Sequence, residues 1–365
     1  MGLLRRVARA RLAGRVIRRL RRAGFTDARY DRHAFQVRFT APGDDVQTIL
    51  ELAPLLAGRG KRRRERVDRF VTGLLPAHGL PRTWAEARPL LRPVLRGATP
   101  GAQLRRSVLP FLSEFVVIDH PDTMTYVTPE QPGGWGVSAE EVFAAARANL
   151  SGAVLQGMAT EPVVVRFVDD GDAYWTSHLL LEHWLERLAE QVGGVPVAFA
   201  PERGTLLVTA DGSDHLRGLF AQAEEIYAKS SRPITPMAYV GDGDGCTVPY
   251  VAPRGHPLHG AVQRAERVLA VQEYTRQTAH LAEAAHQAKA GALAGTAAEL
   301  LLVGSDRSGW RTRAIWERDE PVLLPTADEV QLGDEICPWA DVAAHLSEVP
   351  GLDPPRWSAS HWPAR

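Results

Sequence analysis

Cysteine and lysine are both scarce in this chain of 365 residues. Its two cysteines, Cys246 and Cys337, lie far apart and outside any CxxC or CxxH pattern. This excludes a metal or redox site built on paired cysteines, and we expect free thiols in a reducing cytoplasm, with one disulfide as the less favoured alternative. Lysine occurs only at Lys61, Lys229 and Lys289. Arginine therefore carries most of the positive charge, which together with abundant Ala, Gly and Pro suggests a GC-rich bacterial genome.

Long hydrophobic runs are also lacking. Leu3–Arg22 holds nine arginines and no acidic residue, so it has no uninterrupted apolar core of the kind a signal peptide needs. No other stretch approaches the length of a transmembrane helix. The sequence therefore predicts a cytoplasmic protein without a membrane span. Its composition, 45% hydrophobic and 24% charged, is typical of a globular protein with a sizeable core.

The common catalytic motifs are missing too. There is no phosphate-binding loop, GxSxG elbow or HExxH helix. His178 and His183 are five positions apart, so they do not share a helix face as two metal ligands at i and i+4 would. We therefore expect no cofactor and no resident metal.

Charge is distributed unevenly along the chain. Met1–Pro110 has 25 basic and 8 acidic residues, a balance of +17, and because each sign totals 43 the remainder carries −17. Two interpretations stay open: the oppositely charged surfaces attract each other within the molecule, or the basic part faces an external anionic partner.

The block Pro162–Val251 has the clearest pattern of strands and helices. A β-branched run, Pro162–Val168, is followed by apolar residues spaced as one helical stripe, Tyr174 to Val192. Val195–Ala200 and Thr205–Ala210 flank Pro201-Glu202-Arg203-Gly204 and predict a hairpin. A second helix follows, with Ser213 or Asp214 available to cap it. Met237–Val240 and Cys246–Val251 form a last strand pair around Gly241–Gly245.

Four short motifs occur in this order along the chain: Ala148-Asn149-Leu150, Asp170-Gly171, Leu206-Leu207-Val208 and Pro233-Ile234-Thr235. Together with the order of the segments between them, they resemble the YtpQ-like family of bacterial domains. A weaker resemblance extends back to about Tyr30, includes Arg88–Pro100, and stops near Pro253. It implies an α+β domain over about residues 30–253 but no activity, cofactor or catalytic residue.

The region before this block is predicted to be basic and mixed in structure. Leu3, Val7, Ala10, Ile17 and Leu20 approximate a helical stripe, and such a basic helix either packs on the protein or contacts phosphates or an anionic membrane. Phe35–Phe39 alternates as a half-buried strand and pairs with Val46–Leu52 across Pro42-Gly43-Asp44. A helix in Gly60–Leu75 has a basic start, with cations at the wrong end for the helix dipole. Its candidate anion-binding residues are Arg62, Arg63, Arg64 and Arg66.

Further on, a strand pair turns at His120-Pro121-Asp122, and a helix begins at Ser138 with Glu141 completing a capping box. Beyond Pro253 the chain changes character. Leu258–Leu293 is helix-periodic, as one helix or broken into two, and four short strands within Leu300–Leu332 suggest an antiparallel meander with a turn at Ser308-Gly309. A short helix at Asp341–Leu346 precedes a tail whose Trp357 and Trp362 we expect to pack on the core.

Two acidic turns are candidate sites. Asp169, Asp170 and Asp172 precede the predicted helix that contains His178. Capping of that helix is the favoured interpretation, and a catalytic or cation site using Asp170, Asp172 and His178 is the alternative. The Gly241–Gly245 turn resembles part of a calcium loop but lacks its remaining ligands, so a hairpin turn is favoured.

The sequence therefore predicts an α+β protein of two successive mixed α/β units with antiparallel hairpins, followed by a helical and β-meander extension. We expect a basic N-terminal unit at 1–110, a YtpQ-like core at 111–253 and the extension at 254–365. The preferred function is that of a non-catalytic binding or scaffolding protein with a protein partner. The alternatives are nucleic-acid binding through the arginine-rich N-terminal region and an enzyme with a site near Asp169–Asp172 and His178.

Overall fold

A computed structural model describes residues 3–22, 27–32, 34–40, 47–52, 81–98, 103–120, 123–154, 156–168, 174–287, 296–317 and 320–362. Helices alternate with mainly antiparallel sheets, which confirms the α+β class. The chain divides into two compact units. One comprises Met1–Val94, Ala102–Arg106 and Glu114–Ser151, and the other comprises Leu95–Gly101, Ser107–Ser113 and Gly152–Arg365. The three-part division expected from the sequence stays a prediction.

The first unit begins with a helix on a three-stranded antiparallel sheet. Helix α1 spans Leu3–Arg22, and the sheet consists of β1 (Arg29–Asp31), β2 (Gln36–Thr40) and β3 (Gln47–Glu51) in that order. The predicted pairing of β2 with β3 is confirmed. The turn predicted at Pro42-Gly43-Asp44 and the basic helix predicted in Gly60–Leu75 lie outside the described residues.

The buried face of α1 differs from the predicted stripe. Leu12, Ala13, Val16 and Leu20 form one core with the sheet residues Phe35, Val37, Phe39 and Leu50. Ala10, which was expected in the stripe, is exposed. The spacing of the buried positions is still helical, but the face is turned because Leu12 and Val16 contribute more apolar area than alanine.

A four-stranded sheet and three short helices follow. The strands are β4 (Leu91–Gly97), β5 (Arg105–Leu109), β6 (Leu112–His120) and β7 (Thr123–Tyr126), in the order β4-β6-β5 with β7 on β6. The helices are α2 (Trp84–Ala87), α3 (Gln131–Trp135) and α4 (Ala139–Ala148). The predicted capping box at Ser138 and Glu141 is confirmed, because each side chain accepts a hydrogen bond from the other residue's backbone N–H.

The core of the second unit is a five-stranded antiparallel sheet in the order β12-β11-β9-β10-β8. The strands are β8 (Val165–Val168), β9 (Pro196–Glu202), β10 (Thr205–Ala210), β11 (Ala238–Gly241) and β12 (Thr247–Pro249). Both predicted hairpins are confirmed. The predicted second helix is α6 (Leu216–Lys229), and Ser213 Oγ accepts a hydrogen bond from the His215 N–H just before it rather than capping it.

The continuous helix predicted from Tyr174 to Val192 is wrong. The segment consists of two 3-10 turns, Trp175–Leu180 and Glu186–Leu188, followed by the short helix α5 (Ala189–Val192). Tyr174 and His183 have left-handed backbones, with φ of 51° and 55°. A left-handed residue interrupts the helical hydrogen-bond ladder, so the helix cannot pass through His183. Leu185, Leu188 and Val192 nevertheless reach the same core, as the spacing predicted.

The C-terminal part of the second unit is built on one long helix rather than two. Helix α7 spans His259–Gln287 without interruption. Its apolar residues Ala265 and Leu269 join the core of the five-stranded sheet, whereas Ala270 and Tyr274 join a second core. The helix thus presents apolar residues to two cores at once, which explains why its sequence lacks one narrow apolar stripe.

Two four-stranded sheets form around this second core. One has the order β13-β16-β20-β19 and the other β14-β15-β17-β18. Their bounds are β13 (Thr296–Ala297), β14 (Glu299–Ser305), β15 (Gly309–Trp316), β16 (Val322–Pro325), β17 (Glu329–Leu332), β18 (Glu335–Pro338), β19 (Ser347–Val349) and β20 (Arg356–Ala359), with the helix α8 (Trp339–Ala343) after β18.

The predicted antiparallel meander is therefore only partly correct. β14 and β15 form the expected hairpin across Asp306–Ser308, but β15 pairs in parallel with β17. β16 belongs to the other sheet, where all four of its residues are buried. A strand buried on both faces has no alternating pattern by which its sheet could be assigned from sequence.

The tail packs on the second core, as expected. Trp357 lies in β20, donates from Nε1 to Thr326 Oγ1 at 3.1 Å, and meets the Trp339 ring edge to face. Trp362 lies against Trp316, with ring centroids 5.4 Å apart. Among the helices of the described ranges, none is both long enough and apolar enough to cross a membrane.

Candidate functional site

The structure describes only part of the predicted site. His178 is described, whereas Asp169, Asp170 and Asp172 lie outside the described residues. The candidate anion-binding residues Arg62, Arg63, Arg64 and Arg66 lie outside them as well. The predicted grouping of Asp170 and Asp172 with His178 therefore stays a prediction.

His178 is a core residue. Its side chain is fully buried, and its ring lies 5.0 Å from those of Trp175 and Trp184. Phe167 of β8 extends this aromatic cluster. Nδ1 lies 3.2 Å from the carbonyl oxygen of Tyr174. These contacts hold the ring in one position. Both a structural core histidine and a positioned catalytic histidine need such contacts.

The Gly241–Gly245 turn is the hairpin turn that the sequence favoured. Asp242 Oδ1 accepts hydrogen bonds from the N–H groups of Asp244 and Cys246, both at 2.9 Å, and the Asp242 N–H donates to the Cys246 carbonyl. The Asp242 carboxylate thus stabilises the turn by accepting hydrogen bonds from the backbone of the turn, which is the usual role of aspartate in a loop. No group of three or more potential metal ligands occurs among the residues that are described.

A pair that the sequence did not reveal, His183 and Glu186, sits over this turn. His183 Nδ1 lies 2.7 Å from Glu186 Oε2, and the His183 N–H donates to the Gly245 carbonyl at 2.8 Å. A Cβ on Gly245 would lie 2.6 Å from His183 Nε2, and one on Gly241 would lie 2.9 Å from Glu186 Cγ. Gly245 also has a left-handed backbone with φ of 98°, so glycine is favoured there, whereas a Cβ at Gly241 would require the Glu186 side chain to move.

The hydrogen bond to Glu186 raises the pKa of His183 above its ordinary value, against a smaller opposing effect of burial. A raised pKa in the folded state means that the protonated pair stabilises the fold at low pH and that this stabilisation is lost as pH rises through the folded pKa. In an NMR titration, we expect the His183 ring to titrate above a free histidine and Glu186→Gln to lower that pKa. An unchanged titration in the variant would contradict the pairing.

Two fully buried ionic groups are part of the architecture. In the first unit, Glu114 of β6 accepts hydrogen bonds from Arg106 Nε at 2.7 Å and from Arg147 Nε and Nη2 at 2.9 and 2.7 Å. Arg106 also contacts the exposed Glu140 and stacks over the Phe143 ring. Glu114 of β6 thereby links β6 to β5 and to α4, because both of its carboxylate oxygens accept charge-assisted hydrogen bonds.

In the second unit, Arg356 of β20 is fully buried. It uses all five of its N–H donors, and the acceptors are Gln277 Oε1 at 2.6 Å, Thr278 Oγ1 at 2.6 Å and the carbonyls of Tyr274, Ala298 and Leu323. Burial lowers its pKa to about 10, so the side chain stays charged at neutral pH. One cation thus joins α7 to the sheet that contains β13, β16 and β20.

The two cysteines are free thiols, as expected: Cys246 is exposed next to the Gly241–Gly245 turn and Cys337 is buried in β18. Neither shares a cluster with other ligands within the described ranges. Their placement fits packing for Cys337 and a turn position for Cys246.

The most distinctive surface lies at the edge strand β8. In the described part of the chain β8 pairs with β10 on one side and with no strand on the other. Phe167 points into the core, whereas Val164, Arg166 and Val168 are exposed, the two valines by 40% and 60%. Two further apolar side chains are exposed: Met158, in the segment before β8, by 74%, and Val195, just before β9, by 61%. Edge strands are usually protected by charge or by a covering segment, and here the exposed Arg166 lies between the two exposed valines.

Comparison with known proteins adds nothing to this geometry, since no family model, curated protein or solved structure matches the chain. The resemblance to the YtpQ-like family stays a prediction.

Proposed function

We propose that the protein is an intracellular, non-catalytic binding protein that takes an extended segment of a protein partner at the edge strand β8. The exposed edge with its two valines is the observation that carries this proposal. A strand added there would pair with the backbone groups of β8 that no described strand contacts, and it would bury Val168 and Val164, which directly precedes β8. Burial of apolar area at such an edge gives affinity, and the side chains on alternate positions give specificity.

The chemistry of β8 indicates what the partner segment contains. Val164, Arg166 and Val168 alternate along one face, apolar at both ends and cationic in the centre. Directly opposed side chains in a sheet favour opposite charges and apolar pairs. The best match is therefore an extended segment with an acidic residue between two apolar ones at alternate positions.

Site-specific photocrosslinking in the source cells tests this proposal. A benzophenone side chain at position 168 should give one discrete protein adduct, and Val164→Asp in the same chain should abolish it by placing a charge in the new interface. The matched control is the same probe at Val251, a 76% exposed valine just beyond β12 at the opposite edge of the sheet. Equal adducts from both positions would contradict the proposal. So would a crosslinked dimer formed by the purified protein alone, because it would assign the edge to self-association.

The two alternatives also stay open to test. Nucleic-acid binding through Arg62, Arg63, Arg64 and Arg66 requires an affinity for a mixed-sequence duplex that falls steeply with salt and is lost when these charges are neutralised. An enzyme at Asp170, Asp172 and His178 requires turnover of a small molecule that Asp170→Ala abolishes without unfolding the protein.

A further inference from the structure

We propose that the outward face of α1 is a second contact surface, which binds the phosphate backbone of a double-stranded nucleic acid. Its residues are Arg11, Arg15 and Arg18. The surface belongs to the first unit and is independent of the β8 edge. It is also distinct from the basic segment at 61–69. Unlike that segment, α1 lies among the described residues, so its outward side can be identified.

The packing of α1 decides between the two partners that suit a basic amphipathic helix. Leu12, Val16 and Leu20 are covered by the three-stranded sheet, and Arg9 lies over the Phe35 ring with its guanidinium carbon 4.6 Å from the ring centroid. A helix that lies on a membrane must insert its apolar face among the lipids. Over residues 9–21, where side-chain burial is described, that face is already buried in the protein, so this part of α1 offers its cationic side.

The outward arginines form a regular row. Positions 11, 15 and 18 follow the i, i+4, i+7 spacing, on the side of the helix opposite the buried residues. At a rise of about 1.5 Å per residue the row is roughly 10 Å long. One strand of a duplex advances about 3.4 Å along its axis per phosphate, so several phosphates lie within the length of the row and each of the three arginines can contact one.

Within the ranges that the structure describes, no carboxylate forms an ion pair with Arg11, Arg15 or Arg18. The helix contains no acidic residue. Arg11 and Arg18 are exposed and Arg15 is half-buried, and Arg18 Nε donates to the Gly14 carbonyl of the same helix. Arginine suits this role because its planar group donates two parallel hydrogen bonds to a phosphate and stays charged. The surface would bind without reading sequence, since phosphates carry no base information.

Fluorescence anisotropy of a labelled mixed-sequence DNA duplex, measured over a range of salt with the full chain, tests the assignment. Three phosphate contacts contribute about −2.7 to the slope of log affinity against log salt. That corresponds to roughly a 40-fold loss of affinity between about 50 and 200 mM salt. The triple variant R11Q/R15Q/R18Q should lose this contribution, whereas R11K/R15K/R18K, which keeps the charges, should retain most of it. Glutamine is a good helix former, and circular dichroism of both variants checks that their helix content matches that of the parent.

A second triple variant, R82Q/R254Q/R307Q, removes the same net charge from three exposed arginines elsewhere and should bind as the parent does. Equal losses in the two variants would overturn the proposal, because net charge alone would then explain binding. A salt slope unchanged by R11Q/R15Q/R18Q would overturn it too. So would binding that only R62Q/R63Q/R64Q/R66Q abolishes, or binding to anionic lipid vesicles but not to the duplex. None of these results bears on the crosslink at position 168.

Discussion

Replacing Arg356 with alanine should lower the free energy of unfolding by about 4 kcal/mol, the largest effect we expect from any single substitution described for this protein. The variant removes the printed donor of Gln277 Oε1, Thr278 Oγ1 and the Ala298 carbonyl in a region closed to water. The carbonyls of Tyr274 and Leu323 also lose a hydrogen bond, but they still accept from Thr278 Oγ1 and from the Ala298 N–H. Each buried polar group that loses its partner costs about 1–3 kcal/mol, partly offset because the buried charge also disappears. Urea denaturation monitored by tryptophan fluorescence measures the loss.

Two further variants show whether the hydrogen bonds or the charge matter. Arg356→Lys keeps a cation but offers three donors for five acceptors, so an intermediate loss is expected. Arg307→Ala, at an exposed turn between β14 and β15, should change stability by less than about 0.5 kcal/mol. If Arg356→Ala were as mild as Arg307→Ala, the proposed role of the five hydrogen bonds would be wrong.

Replacing Glu114 with alanine should cost about 3 kcal/mol. The substitution removes the shared carboxylate of Arg106 and Arg147, whose side chains are 31% and 27% exposed. These guanidinium groups can turn partly towards water, which keeps the loss at the lower end for a broken buried ion pair. Thermal unfolding measures the loss in both Glu114→Ala and Glu114→Gln. Because glutamine keeps the size of the side chain but not its charge, the comparison separates the two effects.

Glu140 provides the matched comparison, because it pairs with the same arginine at the same 2.7 Å distance but is 76% exposed. Glu140→Ala should cost less than about 0.5 kcal/mol. Equal effects at the two glutamates would show that burial does not control the strength of this network. A double-mutant cycle with Arg106→Ala would measure the coupling directly.

Local signals in the sequence predicted much of the fold. The Ser138 and Glu141 capping box, the hairpin at Pro201–Gly204 and the Gly241–Gly245 turn each depend on neighbouring residues, and all three are present. The alternation of Phe35–Phe39 likewise placed β2 and its partner. In each of these cases, the residues that determine the local structure lie within one short stretch of sequence.

The incorrect predictions involve contacts between distant residues. His183 takes a left-handed backbone where its N–H meets the carbonyl of Gly245, and no helical periodicity around Tyr174–Val192 could reveal that contact. The parallel pairing of β15 with β17 and the burial of Arg356 depend on segments brought together only in the folded state. For the candidate site, the sequence identified His178 but not its aromatic surroundings, and it did not point to the β8 edge.

The long reach of Arg356 has a consequence for synthesis on the ribosome. Its partner Gln277 precedes it by 79 residues, a stretch that takes roughly 4 to 16 s to translate at about 5–20 residues per second. During that interval the polar groups of α7 that accept hydrogen bonds from Arg356 lack this partner, because β20, which pairs with β16, has not yet been synthesised. We therefore expect chaperones to bind this protein longest while the chain is incomplete and Arg356 has not yet been synthesised.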